Sequence, residues 1–259
     1  VPADQIGVSA RDVAKAQHFA DRGVRVRRGS YEDPAALLDS FEGAEQVLLV
    51  SSNDPAADAV ALHRVGIETA VAAGAHRILY TSHQGAGADS PFRPGQRHAR
   101  TEAILAESGV AWTSLRNGFY AHSLGWLLGP WRETGTIAAP QDGPVSWTAR
   151  ADAAHAAAVI LADDRPHDGP VILTARDAVT YEQIAAMASE LVGRDIKRVV
   201  VDDDQWVADQ MVHGTAQSVA QLTLGFFQAA RQGRFAGVDP LLEKLIGREP
   251  AEVRDVLAE

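Results

Sequence analysis

The sequence contains no cysteine. Disulfides, thiolate catalysis and cysteine metal sites are therefore excluded. It has no apolar run long enough to span a bilayer. Its first residues, Val1-Pro2-Ala3-Asp4-Gln5, lack the basic and then apolar stretches of a secretory signal, so no signal peptide is expected. Positive charge is scarce: 24 Lys and Arg stand against 34 Asp and Glu, a formal net charge of −10. Nucleic acid and anionic membranes both demand a basic footprint, and neither is expected as a partner. A cytoplasmic location follows by default. The nine histidines show no metal-ligand spacing, and no metal is expected. A further absence bears on the fold. Nowhere does Gly-x-x-Gly-x-x-Gly stand between a strand and a helix, the loop that seats a pyrophosphate on a helix N-terminus. Gly85-Ala86-Gly87 is a lone glycine pair and does not follow a first strand.

What is present reads as an ordinary globular chain of 259 residues, 46% hydrophobic and 22% charged. Its first half alternates short apolar runs with helical patterns. Strands are predicted over 5–10, 24–28, 46–51, 77–82 and 110–115, and helices over 13–22, 33–41, 58–73 and 98–108. Asp12 suits an N-cap, Pro34 a first helical position, and Gly23, Gly74 and Gly109 helix stops. Alternating strands and helices imply an α/β fold, a Rossmann-like doubly wound parallel sheet covered on both faces. The second half is broken by Gly129-Pro130, Gly135 and Asp142-Gly143-Pro144. Helices are predicted there over 151–162, 181–192, 204–212, 218–232, 240–247 and 250–257, with short strands over 171–174 and 197–201. This reads as a smaller, mostly helical lobe for substrate. The expected division is 1–129 and 130–259, with 145–165 returning to the sheet.

Ligands of such sheets bind beyond the carboxyl ends of the strands. Arg11 stands just past a strand, where NAD enzymes place an acid on the ribose 2′-OH. A guanidinium there can fork onto a 2′-phosphate, which favours NADP(H) over NAD(H). A solvated arginine before a helix is the competing reading. Ser30-Tyr31, Ser51-Ser52-Asn53 and Thr81-Ser82 are small or polar strand ends that let a cofactor approach, or are ordinary turns. Arg116-Asn117-Gly118-Phe119-Tyr120 pairs a small residue with polar handles and an aromatic face, which suits a nicotinamide or a packed aromatic turn. His98 and Glu102 share a helix face at the spacing where short-chain dehydrogenases carry Tyr and Lys. His98 and Tyr120 are the candidate proton donors, although a helix-surface histidine has the same spacing. Arg93, Arg97 and Arg100 read as a solvated face.

Taken together the residues resemble the NmrA-like, atypical short-chain dehydrogenase family, especially its type 2 NAD(P)H:quinone oxidoreductases and triphenylmethane reductases. The resemblance is carried by Ala10-Arg11-Asp12, Tyr31-Glu32-Asp33, Leu48-Leu49-Val50-Ser51-Ser52 and Tyr80-Thr81-Ser82. It continues through His98, Thr101-Glu102, Leu115-Arg116-Asn117-Gly118-Phe119-Tyr120, Thr148-Ala149-Arg150-Ala151-Asp152 and Lys244-Leu245-Ile246-Gly247. It implies that Arg11 meets the adenosine 2′-phosphate, that Ser51–Asn53 and Asn117–His122 line the cofactor, and that neither flavin nor metal is needed. It also implies a first strand, glycine loop and first helix, about 20 residues in a unit of this kind. The chain does not begin with Met, and we expect these elements to precede Val1. Ser30 stands where many members carry Asp. The expected activity is NADPH-dependent hydride transfer to a quinone or similar conjugated acceptor, with Phe119, Tyr120 and Trp126 as apolar walls. An NADP(H)-sensing regulator without catalysis is the alternative, and a homodimer is left open.

Overall fold

The computed structural model describes residues 1–54, 56–163 and 165–258. In chain order the elements are β1 (Gly7–Ala10), α1 (Gln17–Ala20), β2 (Arg25–Arg28), α2 (Pro34–Phe41), β3 (Gln46–Leu49), α3 (Ala59–Ala72), β4 (Arg77–His83), α4 (Arg93–Ala106), β5 (Ala111–Asn117) and β6 (Phe119–Tyr120). They continue as α5 (Leu124–Leu127), α6 (Trp131–Thr134), β7 (Thr136–Ala139), β8 (Trp147–Thr148), α7 (Arg150–Ala162), β9 (Gly169–Leu173), α8 (Tyr181–Val192), β10 (Lys197–Val200), α9 (Asp203–Val212), α10 (Gln217–Arg231), α11 (Leu241–Ile246) and α12 (Val253–Ala258). Two compact units are formed. The first comprises Val1–Ser82, Arg97–Leu115 and Ile160–Val171, the second His83–Gln96, Arg116–Val159 and Ile172–Glu259.

The first unit shows the expected strand–helix alternation, and its strands form two sheets. A four-stranded sheet runs in the order β3-β4-β5-β9, and β1 pairs with β2 alone. The β1–β2 and β3–β4 ladders are parallel: Gly7 to Ala10 lie opposite Arg25 to Arg28, and Gln46 to Leu49 opposite Arg77 to Tyr80. No ladder joins β1 to β3 among the described residues. The pleat explains the different characters of the two sheets: β4 is buried on both faces over Arg77–Tyr80, whereas no residue of β1 or β2 is fully buried. Helices start where side-chain oxygens meet orphan amides. Asp33 accepts from Ala36 N ahead of α2, and Asp58 accepts from Val60 N and Ala61 N ahead of α3. Gly74, at φ +90°, follows α3 in the left-handed region. The core of this unit packs Leu37, Val47, Leu49, Ile67, Ile78, Tyr80 and Leu105.

The second unit is mostly helical, with two small parallel pairings, β7 with β10 and β6 with β8. β7 falls in the punctuated stretch where no strand was predicted; four residues are too short to show a period. Its core gathers Phe119, Trp147, Tyr181, Phe226, Phe227 and Phe235. No helix among the described residues is long and apolar enough to cross a membrane.

Two helices differ from expectation. The predicted helix over 13–22 is a 3₁₀ turn, Val13–Ala16, running into the short α1; Asp12 does cap it, accepting from Ala14 N. Helix α4 begins at Arg93 and not at 98, so Pro94 and Gly95 lie in its first turn. A proline there gives up only an N–H that has no helical partner. Gly95 is required by a close approach: a Cβ would stand 2.6 Å from the Gly85 carbonyl oxygen. Helix propensity favours alanine over glycine by ~1 kcal/mol. Overpacking against backbone costs about 1–3 kcal/mol and reverses that sign. Gly95→Ala is therefore expected to lower the melting temperature by several degrees, and a rise would show that the loop at Gly85 yields freely.

Candidate functional site

The last ladder residue of β3 is Leu49, and the chain continues through Val50, Ser51, Ser52 and Asn53 without a strand partner. Backbone leaving a sheet this way must find other partners for its polar groups. Here side chains supply them. The Tyr31 hydroxyl donates to the Val50 carbonyl at 2.9 Å. Ser51 N–H donates to Thr81 Oγ1 at 2.8 Å, and Thr81 Oγ1 donates onward to Ser51 Oγ at 3.2 Å. Ser52 N–H donates to His63 Nε2 at 2.8 Å. Three consecutive residues are thus held from the loop after β2, from β4 and from α3.

The ring of Tyr31 lies on Gly66 of α3, where a Cβ would meet it at 2.8 Å, so a glycine one turn along the helix from His63 makes room for this contact. Burial pushes the Tyr31 phenol up to about 12, partly offset by its bond to Val50, so the hydroxyl keeps its proton and remains a donor. His63 is 2% exposed. Its Nδ1 lies 2.9 Å from Thr101 Oγ1 and 3.3 Å from Tyr80 Oη. Burial, then Arg97, lower the His63 pKa to about 4, with Asp58 opposing. Tyr80 is fully buried, its phenol held protonated mainly by desolvation, and it is hydrogen-bonded to His98 Nδ1 at 2.8 Å. Glu102 is buried and accepts from both Ser82 Oγ, at 2.7 Å, and Ser114 Oγ, at 2.6 Å.

Among the sequence candidates, then, the first unit joins Tyr31, Ser51, Ser52 and Thr81 directly, connects them to His98 through His63 and Tyr80, and places Ser82 on Glu102. Asn53 is exposed beyond the held segment. Arg11 is exposed past β1, next to the turn where Gly29 N–H donates to the Ala10 carbonyl. Ser30 Oγ accepts from Glu32 N at 3.2 Å, ordinary turn chemistry that leaves the hydroxyl proton for another partner. Sequence reading missed His63 and Tyr80. A single histidine in an apolar helix has no metal-ligand spacing, and nothing local marks His63 as a partner of Ser52, eleven residues before it.

In the second unit Asn117 ends β5 and is buried. Its Nδ2 donates to Tyr120 Oη at 3.1 Å, and its Oδ1 is buried without a hydrogen-bond partner. Buried acceptors of this kind are uncommon in native folds and call for a reason. Gly118 packs against β8: a Cβ would meet Thr148 Oγ1 at 2.2 Å, while Gly118 N–H donates to the Leu173 carbonyl at 2.9 Å. Phe119 sits in the aromatic core, its ring 4.5 Å from that of Phe226 and 5.4 Å from that of His83. Ala121 is buried, Trp126 is exposed, and His122 is exposed and hydrogen-bonded by Arg150, whose guanidinium lies 5.7 Å from the Tyr120 ring centre. Burial, then Arg150, lower the His122 pKa. His83, among Phe92, Phe119 and Phe235, is lowered by burial to about 4.

Each unit by itself offers groups of a kind that nucleotide ligands use: in the second, the buried and unpartnered amide oxygen Asn117 Oδ1 could accept from an amide N–H donor, and in the first, a strand tip with small hydroxyl side chains has its amides hydrogen-bonded by Thr81 and His63. A sequence model described as the NmrA-like family matches residues 5–256. The chain belongs to the NmrA-like family. Quinone oxidoreductase 2 of Escherichia coli is 34% identical over 249 residues, 95% of this chain and 86% of that protein. The crystal structure of the E. coli NADPH-dependent quinone oxidoreductase complexed with NADPH superposes with a TM-score of 0.92 at 31% identity, covering 100% of this chain and 91% of the other. The Citrobacter sp. triphenylmethane reductase complexed with NADP(H) gives 0.89 at 27% identity, covering 100% and 92%. An NAD(P)H azoreductase of Xenophilus azovorans is 28% identical over 239 residues, 92% of this chain and 83% of that protein.

Two buried histidines held neutral have a consequence for stability. In the unfolded chain a histidine takes its proton near pH 6.5, whereas in the fold His63 and His83 take theirs at about 4. As pH falls through that window the unfolded state binds more protons, so stability is full above about 6.5, declines toward 4 and then levels. The slope contributed is at most ~1.4 kcal/mol per pH unit for each histidine. His83→Asn, which keeps an acceptor for Gly85 N–H, is expected to flatten the fall in melting temperature between pH 6.5 and 4.5. An unchanged slope would show that His83 protonates as readily in the fold as out of it.

Proposed function

We propose that this protein is an NADPH-dependent reductase that delivers hydride to a quinone or a similar flat, conjugated acceptor. The observation that carries the reading is the 0.92 structural similarity, over the whole chain, to a relative complexed with NADPH. The NmrA-like relatives named for quinone, azo or triphenylmethane chemistry support the acceptor class.

In this reading Arg11, exposed just past β1, forks onto the 2′-phosphate and sets the preference for NADPH over NADH. The held tip of β3 offers Ser51, Ser52 and Asn53, with Tyr31, Thr81 and Ser82 behind it. Asn117 Oδ1 accepts from the nicotinamide carboxamide, and Gly118, Phe119, Ala121 and His122 shape that end. When bound, the nicotinamide supplies the hydride. Tyr120 is the better placed of the two candidate proton donors: Asn117 Nδ2 already donates to its oxygen, so its own proton is left to give. His98 is committed at Nδ1 to Tyr80 and acts through the network. A quinone takes hydride directly and can take protons from water, so neither flavin nor metal is required and residues of the Tyr/Lys type are dispensable.

The purified protein is expected to oxidise NADPH when given simple quinones. No turnover with a panel of quinones, azo dyes and triarylmethane dyes, despite NADPH binding, would favour a dinucleotide sensor instead. Arg11→Ala is expected to raise KM for NADPH by about 10-fold or more, the weight of one charge-assisted hydrogen-bonded pair, with little change for NADH. Equal losses for both would remove Arg11 from the 2′-phosphate. Tyr120→Phe is expected to retain kcat for quinones within about threefold, below the 10²-fold that an obligatory acid contributes.

A further inference from the structure

The hydrogen bonds around His63 have only one consistent direction. Ser52 N–H is a donor, so His63 Nε2 must carry a lone pair. Thr101 Oγ1 donates to the Arg97 carbonyl at 3.0 Å, so at 2.9 Å from His63 Nδ1 it must accept. The ring is therefore the neutral tautomer with its proton on Nδ1, and a chain of donors runs from Ser52 through His63 and Thr101 to the carbonyl of Arg97. Tyr80 Oη lies 3.3 Å from the same Nδ1 and is hydrogen-bonded to His98 Nδ1 at 2.8 Å. The ring is enclosed edge-on by Tyr80, at 5.1 Å, and by Tyr31, at 6.3 Å. Arg97 is the cation facing it and Asp58 the anion, besides Tyr31, Tyr80 and His98 of the same network.

We propose that His63 is a positioning residue for cofactor binding, fixing the backbone of Ser52 through Nε2 so that Ser51–Asn53 are already in place before a dinucleotide arrives. The inference rests on the reading that this strand tip contacts the cofactor. Among the described residues nothing else hydrogen-bonds to the Ser52 amide, whereas Val50 and Ser51 have their own partners. Removing the acceptor frees the outermost of the three attachments and leaves the inner two. The loss should appear in cofactor affinity and not in the chemical step. Acid has the same effect by another route. Once Nε2 takes a proton, the ring faces Ser52 N–H with a second N–H, and the attachment is lost as pH falls toward about 4.

The test uses His63→Leu, which removes the acceptor at similar volume, and His63→Gln, whose amide oxygen can reach the position of Nε2. NADPH affinity is measured by fluorescence, steady-state rates with a simple quinone, and the Ser52 amide signal by NMR against pH without cofactor. The leucine variant should bind NADPH about 10-fold more weakly with kcat within twofold, and glutamine should recover affinity to within about threefold, effects of the size expected for one lost and restored hydrogen bond. The Ser52 amide of the unaltered protein should titrate toward pH 4 and that of the leucine variant should not. If the leucine variant does not fold, the glutamine variant and the Ser52 titration still decide. NADPH affinity unchanged in the leucine variant, kcat and affinity falling together, or a Ser52 amide indifferent to pH, would each overturn the proposal. Failure of the underlying reading looks different: the unaltered protein would not bind NADPH, while its Ser52 amide still titrated.

Discussion

The candidate site depends on a backbone problem and its solution. Where β3 runs out of ladder partners, three consecutive residues would present unpaired polar groups at the sheet's carboxyl edge. Tyr31, Thr81 and His63 take them up one by one. Val50 is exposed and Ser51 and Ser52 are half-buried, so each of these hydrogen bonds contributes about 1 kcal/mol. The three bonds therefore decide whether the tip is a fixed platform or a frayed end. They are also what spends much of the chemistry of this region: the Tyr31 hydroxyl, the Thr81 oxygen and the His63 ring serve the backbone, while the Ser51 and Ser52 hydroxyls accept from Thr81 Oγ1 and Asp54 N.

Burial makes this arrangement work at neutral pH. Water would let His63 take either tautomer or a proton. Enclosed by aromatic rings and faced by Arg97, it is kept neutral, and its neighbours dictate which nitrogen carries the hydrogen. The same desolvation keeps Tyr31 and Tyr80 as donors. In the second unit Asn117 shows the complementary condition, one half of an amide bonded to Tyr120 and the other half buried without a partner. An acceptor left this way costs free energy until something donates to it, which fits a ligand-binding amide better than a structural one.

Much of the architecture was legible because it is written in local chemistry. The capping Asp12, Pro34 at the start of a helix, glycine at 74 and the apolar runs of β3 and β4 each answer to one short-range rule. Family resemblance and strand-end positions also pointed to Ser51, Ser52, Thr81 and Asn117. What stayed hidden was tertiary. Gly95 in the first turn of α4 makes sense only beside the Gly85 carbonyl, and Gly66 only beneath Tyr31. Phe119 and Gly118 look like ligand-facing residues in sequence, yet much of their character is consumed by packing on Phe226 and β8. His63 could not be read as an acceptor for Ser52, because nothing in eleven residues of sequence separation says that a helix will return to the strand tip it left.

Amide hydrogen exchange at Ser51 and Ser52 in the ligand-free protein tests most directly whether the tip of β3 is held by side chains of its own unit. If it is, both amides exchange as slowly as those of β3 itself, and added NADPH changes them little. Exchange at the rate of an open loop, with protection arriving only on addition of NADPH, would contradict a platform formed in advance.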